Sequence, residues 1–236
     1  MRILYSAYQK FLEAKGKKTE GNWKIYMFHE VSEEKEKWRD SNCAMTPQSF
    51  KELINSFIER EVKFISIEEG LKGNKPNKTC VSITFDDVYE EVYINAFPYL
   101  KEKNIPFTVF MATDFIDKKG YLSSDQIKEM VEGGLCTLGA HSISHRLLRQ
   151  LSKEESKKEI EGSKSILEEK FHMEIEYFAY PYGSVYACSK TNREQAKASL
   201  YKAAFSTLSS NISMENLKDK FFLPRINVNE ENYKKL

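Results

Sequence analysis

Residues 80–92, CVSITFDDVYEEV, begin with a largely apolar run, which is followed by two adjacent aspartates, Asp86 and Asp87. The run up to Phe85 predicts a strand. Neighbouring side chains on a strand point to opposite faces, but beyond its end the chain turns and both carboxylates can converge on one pocket. Two adjacent carboxylates repel each other, and their removal from water adds a desolvation cost. A positive charge between them offsets both effects. The stretch therefore predicts either a solvated turn or a cation site.

Short apolar runs alternate with amphipathic segments along the rest of the chain. Strands are predicted at 24–31, 62–67, 80–85, 107–113, 137–142, 176–180 and 203–208, with a last extended piece at 222–228. Helices are predicted at 46–61, 90–104, 123–132, 152–171 and 192–202, with a short one ending near Gly73. This alternation favours parallel strands joined by right-handed crossovers. It predicts an α/β fold of about seven parallel strands, either an incomplete barrel or an open doubly wound sheet. In both, catalytic groups collect at the carboxyl ends of the strands.

The composition supports one catalytic domain over residues 1–236, with residues 1–22 as a helical extension. Apolar residues make up 41% of the chain, which is enough for a core, and the net charge is only +1. That balance gives no reason to expect a nucleic acid as partner. No pattern specifies an oligomeric state, and the four cysteines show no CxxC spacing, so a zinc knuckle or redox pair is not indicated.

The N-terminal segment lacks the apolar region and cleavage site of a signal peptide, and no apolar run is long enough to span a bilayer. As the sequence stands we therefore expect a cytoplasmic protein with no transmembrane segment. If a leader precedes this sequence, we expect an extracytoplasmic one.

Two of the four histidines, His141 and His145, are four residues apart just beyond the fifth predicted strand. In a helical conformation this spacing places both imidazoles on one face. Two imidazoles and a carboxylate form a facial site for one divalent cation, with zinc favoured and nickel, cobalt or iron as alternatives. Either motif alone is typical of surface histidines or a solvated turn, but together at strand ends they favour a metal site. The metal would lower the pKa of a bound water from ~15.7 toward ~7, so a neighbouring aspartate is able to take its proton.

Three motifs in order, ITFDDV, HSISH and FAYPYG, resemble the first three motifs of the polysaccharide deacetylase family (carbohydrate esterase family four). The resemblance extends from Tyr26 to Val228. It implies a distorted, incomplete (β/α) barrel and an N-acetylated carbohydrate as substrate. It also implies roles for individual residues, namely a general base at Asp86, metal ligands at Asp87, His141 and His145, and an oxyanion-binding backbone N–H at Tyr182, after Pro181.

The chain departs from the family pattern at several positions. Val88 replaces the glycine that follows the two aspartates, and Ala179 and Tyr180 stand where an arginine is common. Arg225 is a candidate for the cation that orients Asp86. The alternative interpretation, an arginine at the surface or in the packing of the core, explains its presence at least as well. The late Leu-x-His motif has no counterpart, since no histidine follows position 172.

His29, at the end of the first predicted strand, is the candidate general acid. Its context, YMFHEV, is similar to the Tyr-His-x-Val segment of the poly-N-acetylglucosamine deacetylase subgroup, in which an N-terminal histidine acts as the acid. An amide needs such an acid because an amine leaves badly unless it is protonated. A hydrogen-bonded core histidine is the alternative. His172, in a polar turn after a long helix, is predicted to cap that helix or to lie at the surface.

These residues predict a metal-dependent hydrolase that removes the N-acetyl group from an amino sugar in a glycan or glycoconjugate. Nearby tyrosines are candidates for stacking on sugar rings, or are core fillers: Tyr89, Tyr180, Tyr182 and Tyr186. Two alternatives stay open. One is a degenerate relative that binds carbohydrate without turnover, and the other is an esterase that removes O-acetyl groups.

Overall fold

Strands and helices alternate along the chain in a computed structural model, which describes residues 2–17, 23–35, 38–73, 79–213 and 215–236, with side chains for residues 5–14 of the first helix. The strands are β1 Trp23–Phe28, β2 Glu30–Val31, β3 Ala44–Met45, β4 Lys63–Phe64, β5 Cys80–Asp86, β6 Phe107–Met111, β7 Cys136–Ala140, β8 Tyr177–Ala179, β9 Ala203–Phe205 and β10 Ile226–Asn227. The helices are α1 Arg2–Lys17, α2 Pro47–Glu59, α3 Ile67–Leu71, α4 Phe97–Glu102, α5 Ser124–Glu132, α6 Lys153–Phe171 and α7 Lys190–Ala198.

The main sheet has the strand order β10-β1-β5-β6-β7-β8-β9, and β4 pairs with β5 off this path. Strands β1 and β4 run parallel to β5, and β8 runs parallel to both β7 and β9. Two short strands, β2 and β3, form a separate parallel pair. This arrangement is an incomplete (β/α) barrel, so the predicted fold class is confirmed.

Strand β5, which contains the first motif, is buried along its whole length. A parallel strand covered on both faces needs a nearly continuous apolar sequence, and residues 80–85 supply one. The ring of Phe85 lies 5.5 Å from that of Phe28 and 6.0 Å from that of Phe50. The last residue of the strand, Asp86, is only 2% exposed. A buried carboxylate requires compensating charge or hydrogen bonds, so the end of β5 is an unusual place in this core.

Side-chain caps decide where most of the helices begin. Ser123 and Ser152 each form a capping box at the start of α5 and α6, and Thr46 caps α2. At the other end of α6, His172 occupies the left-handed C-cap with φ 54°, as predicted. The predicted helix 90–104 differs, because residues 92–96 form a π-helical turn before α4. Pro98 accounts for this, since it has no N–H for the residue four positions back and crowds its carbonyl.

The chain divides into two compact units. One contains α1, Phe110–Phe115 and Leu138–Ile226, and the other contains β1 to Val109, Ile116–Thr137 and Asn227–Leu236. Helix α1 forms as predicted, while residues 1 and 18–22 of the predicted extension lie outside the described residues. Among the helices that the structure describes, none is both long and apolar enough to cross a membrane.

Candidate functional site

The two aspartates lie in a tight turn at the carboxyl end of β5. Asp87 and Val88 both adopt left-handed backbone conformations, with φ 59° and 42°, and the N–H of Val88 donates to the carbonyl of Asp86 at 2.6 Å. Such a conformation costs a β-branched residue roughly 1–2 kcal/mol, which is why glycine is expected here. Complete burial of the Val88 side chain offsets this cost. The turn therefore keeps a glycine-like backbone without glycine.

The carboxylates at this turn create a negative potential that neighbouring groups report. Burial, followed by the charges of Asp40, Asp87 and Asp86, raises the pKa of the Cys43 thiol to about 12. Burial and then the charge of Asp87 also raise the pKa of Tyr89 well above its usual value. The Tyr89 hydroxyl thus stays protonated and donates to Asp87 Oδ2 at 3.2 Å. A potential of this sign favours a bound cation.

Arg39, which the sequence reasoning missed, packs against this turn. Its guanidinium lies 4.2 Å from the ring centroid of Tyr89 and forms an ion pair at 3.2 Å with Glu30, which is 3% exposed. A second carboxylate, that of Glu91, lies 3.4 Å away. Arg39 therefore links a buried acid to the tyrosine that contacts Asp87. No motif surrounds Arg39, so its sequence context contains no signal of this role.

The segment with the two histidines is a loop and not a helical turn, so the helical explanation for their spacing is wrong. Ser142 and His145 have left-handed φ values of 67° and 55°, and the Ser142 hydroxyl oxygen accepts the N–H of His145 at 3.0 Å. The loop nevertheless brings the rings of His141 and His145 together, with 4.9 Å between their centroids.

Glu159 of α6 holds this loop through hydrogen bonds, and the sequence reasoning missed this residue as well. Its Oε2 accepts the N–H groups of Ile143 and Ser144, each at 2.9 Å, and its Oε1 accepts the Ser144 hydroxyl at 2.5 Å. Glu159 is 7% exposed, although α6 is otherwise a heavily charged helix. One carboxylate thus fixes the two residues midway between the histidines.

The imidazole of His141 has a defined tautomer. Its Nδ1 lies 2.8 Å from the carbonyl oxygen of Ala179, and because a carbonyl only accepts, Nδ1 carries the proton. The lone pair then belongs to Nε2, as in most metal-binding histidines. Asp87, His141 and His145 each offer one ligand atom, and these atoms lie within 4.8 Å of one another. Two imidazoles and a carboxylate are a donor set that suits a borderline divalent metal.

His29 follows β1 directly and is level with Asp86 across the sheet. Phe28 pairs with Phe85 in the parallel register, so the next residue of each strand lies at the same edge, with the strands about 4.8 Å apart. The Nδ1 of His29 is buried and has no hydrogen-bond partner among the described residues. A buried ring nitrogen without a partner is unusual for a purely structural histidine.

The Pro181–Tyr182 step forms a second left-handed turn, with φ 61° at Tyr182 and 46° at Gly183. The side chain of Tyr182 is 59% exposed, and its ring centroid lies 4.8 Å from that of His145. A Cβ atom on Gly183 would lie 2.6 Å from Cγ2 of Thr207, so only glycine fits there. The turn thus fixes the backbone at Tyr182, whose ring lies beside the histidine loop.

Arg225 is completely buried, so the surface interpretation of this residue is wrong. Its Nε donates to the carbonyl of Ser206 at 3.1 Å, and its guanidinium lies 5.2 Å from the ring centroid of Phe110. Tyr180 is also fully buried and donates its hydroxyl to the carbonyl of Phe221 at 2.9 Å. A role for Tyr180 in stacking on a sugar is therefore wrong.

Comparison with known proteins agrees with this geometry. The chain is 34% identical to the Bacillus subtilis (strain 168) protein YxkH over 127 residues, which are 54% of this chain and 43% of that protein. It is 31% identical to the poly-β-1,6-N-acetyl-D-glucosamine N-deacetylase of Staphylococcus epidermidis over 160 residues, which are 61% of this chain and 55% of that protein. The chain thus spans about half the length of these curated relatives. Among solved structures, the Streptococcus pyogenes deacetylase PplD in complex with acetate is 25% identical, with a TM-score of 0.78 over 87% of this chain and 91% of that chain.

In a (β/α) barrel the active site lies at the carboxyl ends of the strands, and acids with histidines at that edge are able to hold a metal ion for hydrolysis. The family model for polysaccharide deacetylase matches residues 73–204, which include all three motifs. The chain therefore belongs to the polysaccharide deacetylase family, and the resemblance seen in the sequence is confirmed.

Proposed function

We propose that this chain is a metal-dependent N-deacetylase that hydrolyses the acetamide of an N-acetylated amino sugar within a glycan. The observation that carries the proposal is the grouping of Asp87, His141 and His145, with their ligand atoms within 4.8 Å. Family membership and the names of the relatives support the same chemistry. The name of the staphylococcal relative makes β-1,6-linked N-acetylglucosamine the first substrate to test.

The proposed ligands are the carboxylate of Asp87, Nε2 of His141 and one ring nitrogen of His145. The Ala179 carbonyl, which fixes the His141 tautomer at 2.8 Å, is the supporting contact that metal-binding histidines usually have. The donor set suits zinc, and also nickel, cobalt or iron. When bound, such a cation acidifies water and polarises the acetamide carbonyl.

Asp86 is the proposed general base. It is buried at the end of β5, whereas its neighbour Asp87 is half-buried in the left-handed turn, so the two carboxylates have different surroundings. A carboxylate in this position accepts the proton of the attacking water. The buried cation of Arg225 is proposed to orient it. The backbone N–H of Tyr182, held by the strained turn at 181–183, is proposed to donate to the oxyanion that forms on the acetamide.

His29 is the proposed general acid for the departing amine. The β1–β5 register places it level with the proposed base, and its buried Nδ1 lacks a partner within the described part of the chain. The His29 side chain as a whole is half-buried, so part of the ring remains accessible for donating a proton to the substrate nitrogen. The acid is needed because an unprotonated amine is a poor leaving group.

The test is acetate release from β-1,6-linked N-acetylglucosamine oligomers by the protein loaded with zinc. We expect Asp86→Asn to keep its metal and lose turnover by at least about a hundredfold, as is typical for loss of a general base. We expect His29→Ala to lose a similar factor. His172→Asn is the matched control, because asparagine tolerates the left-handed cap that this histidine occupies.

The same variants separate the alternatives. An O-acetyl ester has a better leaving group, so His29→Ala should slow N-acetyl hydrolysis far more than O-acetyl hydrolysis. Turnover of O-acetyl substrates alone would show an esterase. Oligomer binding without acetate release by the metal-loaded protein would show a relative that only binds carbohydrate. Full activity of Asp86→Asn would contradict the assignment of the base.

A further inference from the structure

Helix α1 is attached to two loops that follow strands of the barrel. Gln9 Oε1 accepts the N–H of Val185 at 3.3 Å, and Glu13 Oε1 accepts the N–H of Ser209 at 3.3 Å. Gln9 also donates to Glu13 at 3.1 Å, which connects the two contacts. The polar side chains along one side of α1 therefore hold the helix beside the loop that contains the Pro181–Tyr182 turn.

A tyrosine pair closes the same junction nearer the start of α1. The rings of Tyr5 and Tyr186 meet edge to face, with 5.8 Å between their centroids. Arg149 donates to the Tyr5 hydroxyl at 3.1 Å and lies 4.7 Å from the centre of its ring. Tyr186 remains partly exposed, and Gln150 Nε2 donates to its hydroxyl at 3.5 Å.

A cavity of about 310 Å³ lies between these elements. Tyr5, Gln9 and Glu13 line it from α1, and Ser184 and Tyr186 line it from the loop. At about 30 Å³ per water molecule this volume holds about ten waters, and it falls at the small end of ligand sites. It is sized for one monosaccharide unit.

The lining has the chemistry of a site for a neutral polyhydroxylated ring. Two tyrosines offer aromatic surface for the apolar face of a pyranose, while an amide, a carboxylate and hydroxyls offer donors and acceptors for its hydroxyl groups. The cation on the wall, Lys10, is accompanied by the acid Glu13, so the cavity has no excess of positive charge for a phosphate.

The position of the cavity relates it to the proposed reaction. Ser184 is two residues after Tyr182, so the cavity wall begins within about 7 Å of chain from the turn whose backbone N–H is proposed to bind the oxyanion. The side chain of Tyr182 itself is exposed at that turn. A polymer whose reacting unit lies at Tyr182 would have its next unit within reach of the cavity.

We infer that the cavity between α1 and the 184–186 loop binds a sugar unit of the glycan next to the unit that is deacetylated. This inference rests on the proposed function for the identity of the ligand. It assigns to α1 and Tyr186 a role in recognising chain length, and it makes oligomers better substrates than the monosaccharide.

The experiment compares Tyr186→Ala and Gln9→Ala with the wild-type chain. Phe11→Ala is the matched control, because Phe11 lies on the same helix, is 62% exposed and is not among the residues of the cavity wall. Acetate release is measured on N-acetylglucosamine and on its β-1,6-linked pentamer. Binding of the acetylated pentamer is measured by calorimetry with each substitution placed in the Asp86→Asn chain, which we expect not to turn it over.

We expect Tyr186→Ala to raise the KM for the pentamer about tenfold, with kcat and the kinetic constants for the monosaccharide unchanged. Gln9→Ala, which also removes the acceptor of the Val185 N–H, should raise the KM for the pentamer severalfold. The calorimetric Kd should rise by the same factors, and Phe11→Ala should alter nothing. Equal effects on monomer and pentamer, or no effect of either variant, would overturn the inference, as would a wild-type chain that does not bind the pentamer. If no acetate is released but Tyr186→Ala weakens pentamer binding, the proposed function fails while the sugar site stands.

Discussion

Glu159→Ala tests how the histidine loop is held. The carboxylate accepts two backbone N–H groups at 2.9 Å each and the Ser144 hydroxyl at 2.5 Å, from a position that is 7% exposed. Hydrogen bonds to a charged group contribute about 1.5–3 kcal/mol each, but Ile143 and Ser144 are half-buried and water replaces part of the loss. We therefore expect a loss of about 2–4 kcal/mol, which corresponds to a fall in Tm of about 5–15 °C for a chain of this size.

Thermal unfolding followed by circular dichroism measures this loss, and zinc titration measures the effect on the loop. His141 and His145 flank the two residues that Glu159 fixes, so we expect zinc affinity to fall about 10–100-fold. Glu159→Gln keeps one acceptor oxygen and should lie between the alanine variant and the wild type. Glu161→Ala is the control, because this acid on the same helix is 54% exposed and its carboxylate pairs with Lys157 at 3.5 Å on the helix surface. Equal melting temperatures and zinc affinities for Glu159→Ala and Glu161→Ala would refute the reasoning.

Two further predictions concern the acidic turn. In regular secondary structure a protein with glycine is less stable than one with alanine. The left-handed φ of 42° at Val88 should reverse this order, because glycine adopts it without strain. We therefore expect the free energy of unfolding, measured with denaturant, to be about 1 kcal/mol higher for Val88→Gly than for Val88→Ala. The opposite order would show that the turn is not strained. Arg39→Ala removes the cation from Glu30, which is 3% exposed, and should lower Tm by about 5–10 °C after allowance for the partial exposure of the arginine. Lys35→Ala, which breaks an exposed pair, should change Tm by less than about 2 °C, and a similar change for Arg39→Ala would count against the role of Arg39.

Local sequence was sufficient for the succession of strands and helices along the chain and for the acidic and histidine motifs, but not for the order of the strands in the sheet. A buried parallel strand is mostly apolar, so the end of β5 is visible as the point where Phe85 is followed by two aspartates, the first of which is the last residue of the strand. The first residues of the helices were equally predictable, because a serine or threonine cap is a local sequence signal. Thr46, Ser123 and Ser152 cap helices at their predicted starts.

The supporting contacts were not predictable, because each joins residues that are distant in sequence. Glu159 is fifteen and sixteen residues from Ser144 and Ile143, which it holds, and resembles every other acid of a charged helix. Arg39 lies in a segment without hydrophobic periodicity. Its contact with Tyr89 joins two distant parts of the chain, and nothing in the local sequence of either residue indicates it. The i, i+4 spacing of the histidines suggested a helix, whereas left-handed residues in a loop achieve the same approach. Such backbone conformations leave no reliable trace when the residues are not glycine.

The central claim is that the Asp87, His141 and His145 group holds the cation on which deacetylation depends. The most direct measurement is acetate release from a β-1,6-linked N-acetylglucosamine pentamer while chelator-treated protein is titrated with zinc, with Asp87→Ala alongside. We predict that acetate release rises and saturates at about one equivalent of zinc, and that Asp87→Ala stays at the baseline. Acetate release that does not depend on zinc, or that Asp87→Ala reproduces at one equivalent, would contradict the claim.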